Sequence, residues 1–183
     1  MSGLALGCDA IAHSTALQAQ GHTIAVLAHG LQTIAPSKHQ TLADKILAGG
    51  GALLSEFPFG RAPIPQQFVK RDSTQAGLAQ GVVMIQSDVR GGSLHASRAA
   101  LNYARWLAVP YPTDKDRKTA EPKIQANLVL AHGTAGDKTG LLHCAPEALD
   151  HVIILRSRDD YPRMMTTATP PQRSPTQSQH ALL

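Results

Sequence analysis

Several apolar stretches of strand length in this chain do not alternate with polar residues. Thr23-Ile24-Ala25-Val26-Leu27 and Gly81-Val82-Val83-Met84-Ile85 are two of them, and Trp106-Leu107-Ala108-Val109 is a third. A strand with one face in water reads apolar and polar in turn. An unbroken apolar strand needs cover on both faces, which a parallel sheet between helices supplies. Aromatic residues make up only 4% of the chain, so Leu, Ile, Val and Ala must fill that core.

The segments between these runs read as helices. Residues 10–20 form one, opened by Asp9 as cap and stopped by Gly21. Residues 38–48 form a second, ending in Gly49-Gly50-Gly51, and residues 67–80 and 94–103 form two more. Ala52-Leu53-Leu54-Ser55-Glu56 is a further strand. Three prolines within residues 57–65 exclude regular structure there. Strand and helix alternate through the first 112 residues, which predicts an α/β fold with a doubly wound, mostly parallel sheet. After Pro112 the character changes. Residues 113–123 read as a charged linker, and 124–132 and 152–155 as short elements of a small C-terminal extension over 113–165. Residues 166–183, with three prolines and many Ser, Thr and Gln, are expected to be a disordered tail.

The two cysteines, Cys8 and Cys144, lie far apart, and the nine histidines are scattered with no HxxxH or HExxH pair. No metal site, cofactor or disulfide framework is expected. No run of eighteen apolar residues and no leader pattern occurs, so a cytoplasmic chain without a membrane span is expected. The net charge of +4 fits a phosphate-bearing partner without proving one.

Two turns could carry chemistry. Residues 2–9, Ser-Gly-Leu-Ala-Leu-Gly-Cys-Asp, place small residues at a strand end before a helix N-terminus. Backbone amides there can cradle a phosphate, and they can equally form a tight turn with no ligand. Arg90-Gly91-Gly92-Ser93-Leu94-His95 repeats the arrangement, with Arg90 and Arg98 able to add charge. Lys70-Arg71 beside Asp72 is a small basic spot or a solvated charge pair. Glu56 could act as a base, but no nucleophile stands near it in sequence, and no catalytic residue is assigned.

These segments, in this order, resemble the DprA/Smf family of DNA-processing proteins. Residues 2–9 with Ala12-His13 are similar to its SGLAxGID…AH signature. Leu54-Ser55-Glu56-Phe57-Pro58-Phe59-Gly60 matches its SEFPxG segment. Residues 68–78 stand at its RNRxxAGLS-type stretch, residues 91–96 resemble its Gly-Ser-Leu turn, and Val109-Pro110 resembles its closing VP.

The resemblance covers residues 2–112. It implies an extended Rossmann-like domain that binds single-stranded DNA, partnership with the RecA recombinase in transformation and recombination, and self-association as a homodimer. Carried over, the phosphate-facing positions are Ser2, Gly3 and Gly7 in the first turn. Lys70 and Arg71 are the basic contacts, and Gly91, Gly92 and Ser93 form the second turn. His13 is expected to pack or orient rather than touch DNA. The family's first βα unit with its GxR turn belongs before Ser2, so the sheet is expected to lack that unit. Asp72 and Ser73 replace an Asn and an Arg of the family pattern, and an acid there weakens phosphate attraction. Two other readings stay open: a nucleotide-binding sensor or nucleotide-hydrolysing enzyme, and a remnant without function.

Overall fold

The computed structural model describes residues 1–166. The apolar runs become β1 (Ile24–Leu27), β2 (Ala52–Ser55), β3 (Gly81–Val83) and β4 (Trp106–Pro110). Between them lie α1 (Cys8–Gln18), α2 (Gln40–Ala48), α3 (Pro65–Leu78) and α4 (Ser93–Asn102). Every strand pairing is parallel. The fold is Rossmann-like α/β. Burial along the strand, expected of each unbroken apolar run, holds for β1 and β4; β2 and β3 are sheet-edge strands, and Leu54 and Val83 are 39% and 43% exposed.

Among the described residues the strands form two sheets. One is β1–β2, which Ser2 extends through a parallel bridge to Ala25; the other is β3–β4–β5, with β5 formed by Val152–Leu155. The chain first runs outward from Ser2 through β1 to β2. Helix α3 then carries it back, and the second outward run goes from β3 through β4 to β5. Such a reversal is where ligands gather in open α/β sheets. Each sheet has its own core. Leu4, Ala25, Leu27, Ala43 and Ile46 form one. Met84, Leu94, Leu107, Val109, Leu130 and Leu142 belong to the other. Helix α3 packs on both β1 and α4, and Ala76 meets Ala99 and Ala100 between the helices.

Residues 113–165, expected as an extension, build directly onto the second sheet. Charged residues 113–123, read as a linker, start with α5 (Asp114–Lys118), capped by Thr113, whose hydroxyl accepts from the Asp116 N–H. Next come α6 (Gln125–His132) and α7 (Ala135–Leu142), and β5 (Val152–Leu155) pairs with β4. The charged run after Pro112 and the reach of the resemblance to residue 112 suggest a boundary there. The apolar Ile124, Ala126, Leu130 and Ile153 behind it are all buried. Helix α8 (Tyr161–Thr166) ends the described chain, so all of the expected tail after Thr166 lies outside it. No helix among the described residues is long and apolar enough to cross a membrane.

Candidate nucleic-acid interface

The reversal point opens a cleft of about 430 Å³ between the two sheets. Ser2, Cys8 and Asp9 line it from the first turn, residues 81–86 from the second sheet, and Gly92 and Ser93 from the second turn. Phe68, Arg71, Asp72 and Gln75 of α3 close a third side. The structure thus brings Ser2, Arg71, Gly92 and Ser93 to one cleft. Gly3 lies beside it, bonded to Arg71. Gly7, Lys70 and Gly91 are not among the lining residues.

The first turn is closed on itself. Asp9 was read as the helix cap, yet Gly7 holds the cap position and makes no side-chain cap bond. The Asp9 carboxylate instead accepts the N–H groups of Gly3 and Ala5, both at 3.0 Å. It occupies the place an anionic ligand would take. The turn needs unusual backbone: Leu4, fully buried, has φ 66°, and Gly7 has φ 91°. His39 donates from Nδ1 to the Leu4 carbonyl at 2.7 Å and holds that conformation. His13 packs inside with Nδ1 2.7 Å from Thr23 Oγ1, and burial pushes its pKa below the ordinary histidine value.

Arg71 and Lys70 part company on α3. Consecutive helix positions lie about 100° apart, so one of two neighbouring cations can face inward and the other outward. Arg71 faces inward and is only 8% exposed. Its Nη1 donates to the Gly3 and Val26 carbonyls at 3.0 Å each, and its Nε donates to Asp72 at 3.0 Å. Asp72 loses water in forming this pair. That burial raises its pKa despite the opposing pull of Arg71. Arg71 was expected as a phosphate contact, but its guanidinium holds the first turn onto β1. Lys70 faces out, its Nζ 5.5 Å from the Phe57 ring centroid. Glu56 accepts a hydrogen bond from the Thr74 hydroxyl.

The second turn is open. Asp88 accepts the Gly91 N–H through its carbonyl and the Arg90 N–H through its carboxylate. Gly92 caps α4 without a side-chain bond, and Gly92 and Ser93 are exposed at the helix start. Free N–H groups and the helix dipole there favour an anion. Arg98, expected to add charge, donates instead to the Leu141 carbonyl from Nε and Nη2.

The three phenylalanines of the chain stand on the proline-rich loop and α3; Phe68 lines the cleft, and Phe57 lies beside Lys70. Phe59 is 76% exposed and Phe68 is 42% exposed, while Arg71 Cζ lies 5.6 Å from the Phe68 ring centroid. The sequence carries their signal: aromatic residues are few, and these three stand within twelve positions beside Lys70 and Arg71. No group of three or more His, Cys, Asp or Glu side chains suited to a metal occurs among the described residues.

The family described as DNA recombination-mediator protein A matches residues 1–135. The chain is 46% identical to protein Smf of Escherichia coli over 112 residues, 61% of this chain and 30% of that protein. It is 39% identical to DNA processing protein DprA of Bacillus subtilis over 111 residues, 60% of this chain and 37% of that one. The chain therefore spans much less than the full length of either relative. Among solved structures, DNA processing protein A of Streptococcus pneumoniae superposes with a TM-score of 0.61 at 27% identity. That match covers 87% of this chain and 48% of that one. DNA processing protein A of Helicobacter pylori, in a structure concerned with its single-stranded DNA binding mode, gives a TM-score of 0.61 at 29% identity. It covers 72% of this chain and 57% of that one.

Proposed function

Because this chain belongs to the DNA recombination-mediator protein A family, we propose that it is a single-stranded DNA-binding accessory protein of DNA processing, transformation and recombination. One observation carries the reading: the partly exposed ring of Phe68 lines the same cleft as the open helix N-terminus at Gly92 and Ser93. Non-specific single-strand binders pair a positive track for the backbone with rings on which bases stack. Phe68 supplies a ring at the cleft, Lys70 supplies a cation on the outer face of the same helix, and Gly92 and Ser93 supply free amides. The single-stranded DNA binding of the Helicobacter pylori relative supports the same assignment.

Within this reading Ser2, Gly3 and Gly7 shape the wall of the first turn, and Gly91 sets the entry to α4. Arg71 acts by holding Gly3 in place. RecA partnership, a homodimer and a cytoplasmic setting complete the proposal, on the strength of family membership.

Fluorescence anisotropy of labelled oligothymidylate, titrated over a range of salt, tests it. A backbone-tracking protein loses affinity steeply with salt, by a log–log slope of about 0.7 per phosphate contact on single strands. Lys70→Ala should lower that slope by about one contact. Phe68→Ala should weaken binding about tenfold, since a stacked base is worth roughly 1–3 kcal/mol. Affinity indifferent to salt, or a tight mononucleotide complex in its place, would overturn the proposal in favour of a nucleotide pocket.

A further inference from the structure

A second group of cations and an aromatic ring stands at the C-terminal edge of the β3–β4–β5 sheet, outside the cleft. Tyr111 directly follows β4, and its N–H donates to the Leu155 carbonyl at 2.8 Å. Arg117 Cζ lies 5.3 Å and Arg156 Cζ 4.7 Å from its ring centroid. His132 meets the ring edge-on at 5.4 Å, with its Nε2 2.9 Å from the Tyr111 hydroxyl. Two guanidinium groups thus converge on one ring, and Arg117, Arg156 and His132 are all exposed.

The nearby carboxylates do not neutralise both. Asp160 accepts the backbone N–H groups of Arg156 and Ser157, and Asp116 accepts from Thr113. Arg117 pairs with Asp114, whereas the Arg156 guanidinium meets no carboxylate among the described residues. The Arg156 guanidinium thus leaves an unneutralised exposed charge beside the ring, and a phosphate oxygen can accept from such a donor.

The position is fixed from below. Asn127 of α6, 1% exposed, accepts the Ser87 N–H and donates to the Ile85 and Pro110 carbonyls. It binds the ends of β3 and β4 together, one residue before Tyr111. Because the three strands are parallel, the open turn at Gly92–Ser93, Tyr111 and Arg156 all follow strand ends on the same sheet edge. Neighbouring strands lie about 5 Å apart. A bound strand several nucleotides long can reach from one to the other.

Building on the single-stranded DNA reading above, we propose that Tyr111, Arg117 and Arg156 form a second phosphodiester contact. It would extend the DNA track from the second turn across the ends of β4 and β5. Residues 113–156 would then take part in binding instead of only covering the sheet.

The test measures salt slopes for Arg117→Gln/Arg156→Gln and wild type, on oligothymidylates of about 6 and about 20 nucleotides. Expected is a slope shallower by about 1.4 on the long strand, two contacts at about 0.7 each, with the short strand unchanged. Tyr111→Leu should reproduce part of the long-strand loss, and melting curves confirm that each variant folds. Unchanged long-strand slopes, with wild-type binding intact, overturn this second contact alone. An equal loss on both lengths also overturns it, because the residues would then act on the primary site. Absence of any wild-type binding would overturn both readings together.

Discussion

Replacing Gly3 with alanine should cost this protein far more than a surface turn normally would. A Cβ built at Gly3 falls 1.9 Å from Arg71 Nη1, 2.4 Å from Cζ and 2.8 Å from Nη2. The guanidinium sits at the far end of a flexible side chain, so it yields before the backbone does. In moving it gives up its bonds to the Gly3 and Val26 carbonyls. Bonds from a charged donor contribute about 1.5–3 kcal/mol each. Re-entry of the guanidinium into water at the cleft returns part of the loss, leaving a net cost of about 3 kcal/mol. For a chain of this size, thermal unfolding should then move down by about 6–12 °C. Circular dichroism melts, checked for two-state behaviour, measure the shift. A double-mutant cycle isolates the cause: in an Arg71→Ala background the clash is gone, and the same Gly3→Ala change should cost less than about 1 kcal/mol. Equal costs in the two backgrounds, or a melting point that does not move, would refute the account of Arg71 as the clamp on this turn.

Two more outcomes follow from buried polar groups. The Asp72 pKa is raised in the folded state, first by burial, so the native protein holds that proton where the unfolded chain has released it. Stability should therefore fall as pH climbs through the range just above the ordinary Asp value near 3.9. Asp72→Asn should flatten that part of a urea-midpoint profile against pH, and an unaltered profile would remove Asp72 as its source. Asn127→Ala leaves the Ser87 N–H and the Ile85 and Pro110 carbonyls without their partner. Urea unfolding should report a loss of about 3 kcal/mol or more, and a loss below about 1 kcal/mol would mean that water replaces the amide fully.

Strand positions could be read from the sequence because an apolar run of strand length is unbroken, and burial on both faces accounts for such runs at β1 and β4; β2 and β3 stand at sheet edges and are partly exposed, so their apolar runs do not record full burial. Helix ends were harder to read. Asp9 looks like a cap, but its carboxylate is drawn to two turn amides that lie near it only once the chain has folded. Gly21 looks like the stop of α1, yet the left-handed position is Gln20, φ 56°. At the candidate site, composition treats Lys70 and Arg71 as one basic spot. Geometry separates them, since Gln67 and Arg71, one turn apart, share the buried face of α3. That spacing was visible in the sequence but does not say what an inward arginine would bind. Its partners, Gly3 and Val26, lie 68 and 45 positions away. Asn127 and the Tyr111 cluster were invisible for the same reason, because their meaning depends on strand ends brought together from distant segments.

The two sheets, each with its own core, also bear on how the molecule comes apart. The core around Leu4 and Leu27 and the core around Met84 and Leu107 share no residue. Helix α3 is the main element touching both sides. Cooperative opening tends to follow such contiguous units. The first half can therefore loosen as one foldon while the β3–β5 half keeps its structure. The cleft is the seam between these foldons, and a DNA strand laid across it would act as a suture: it would bind best when both halves are closed, and would hold them so.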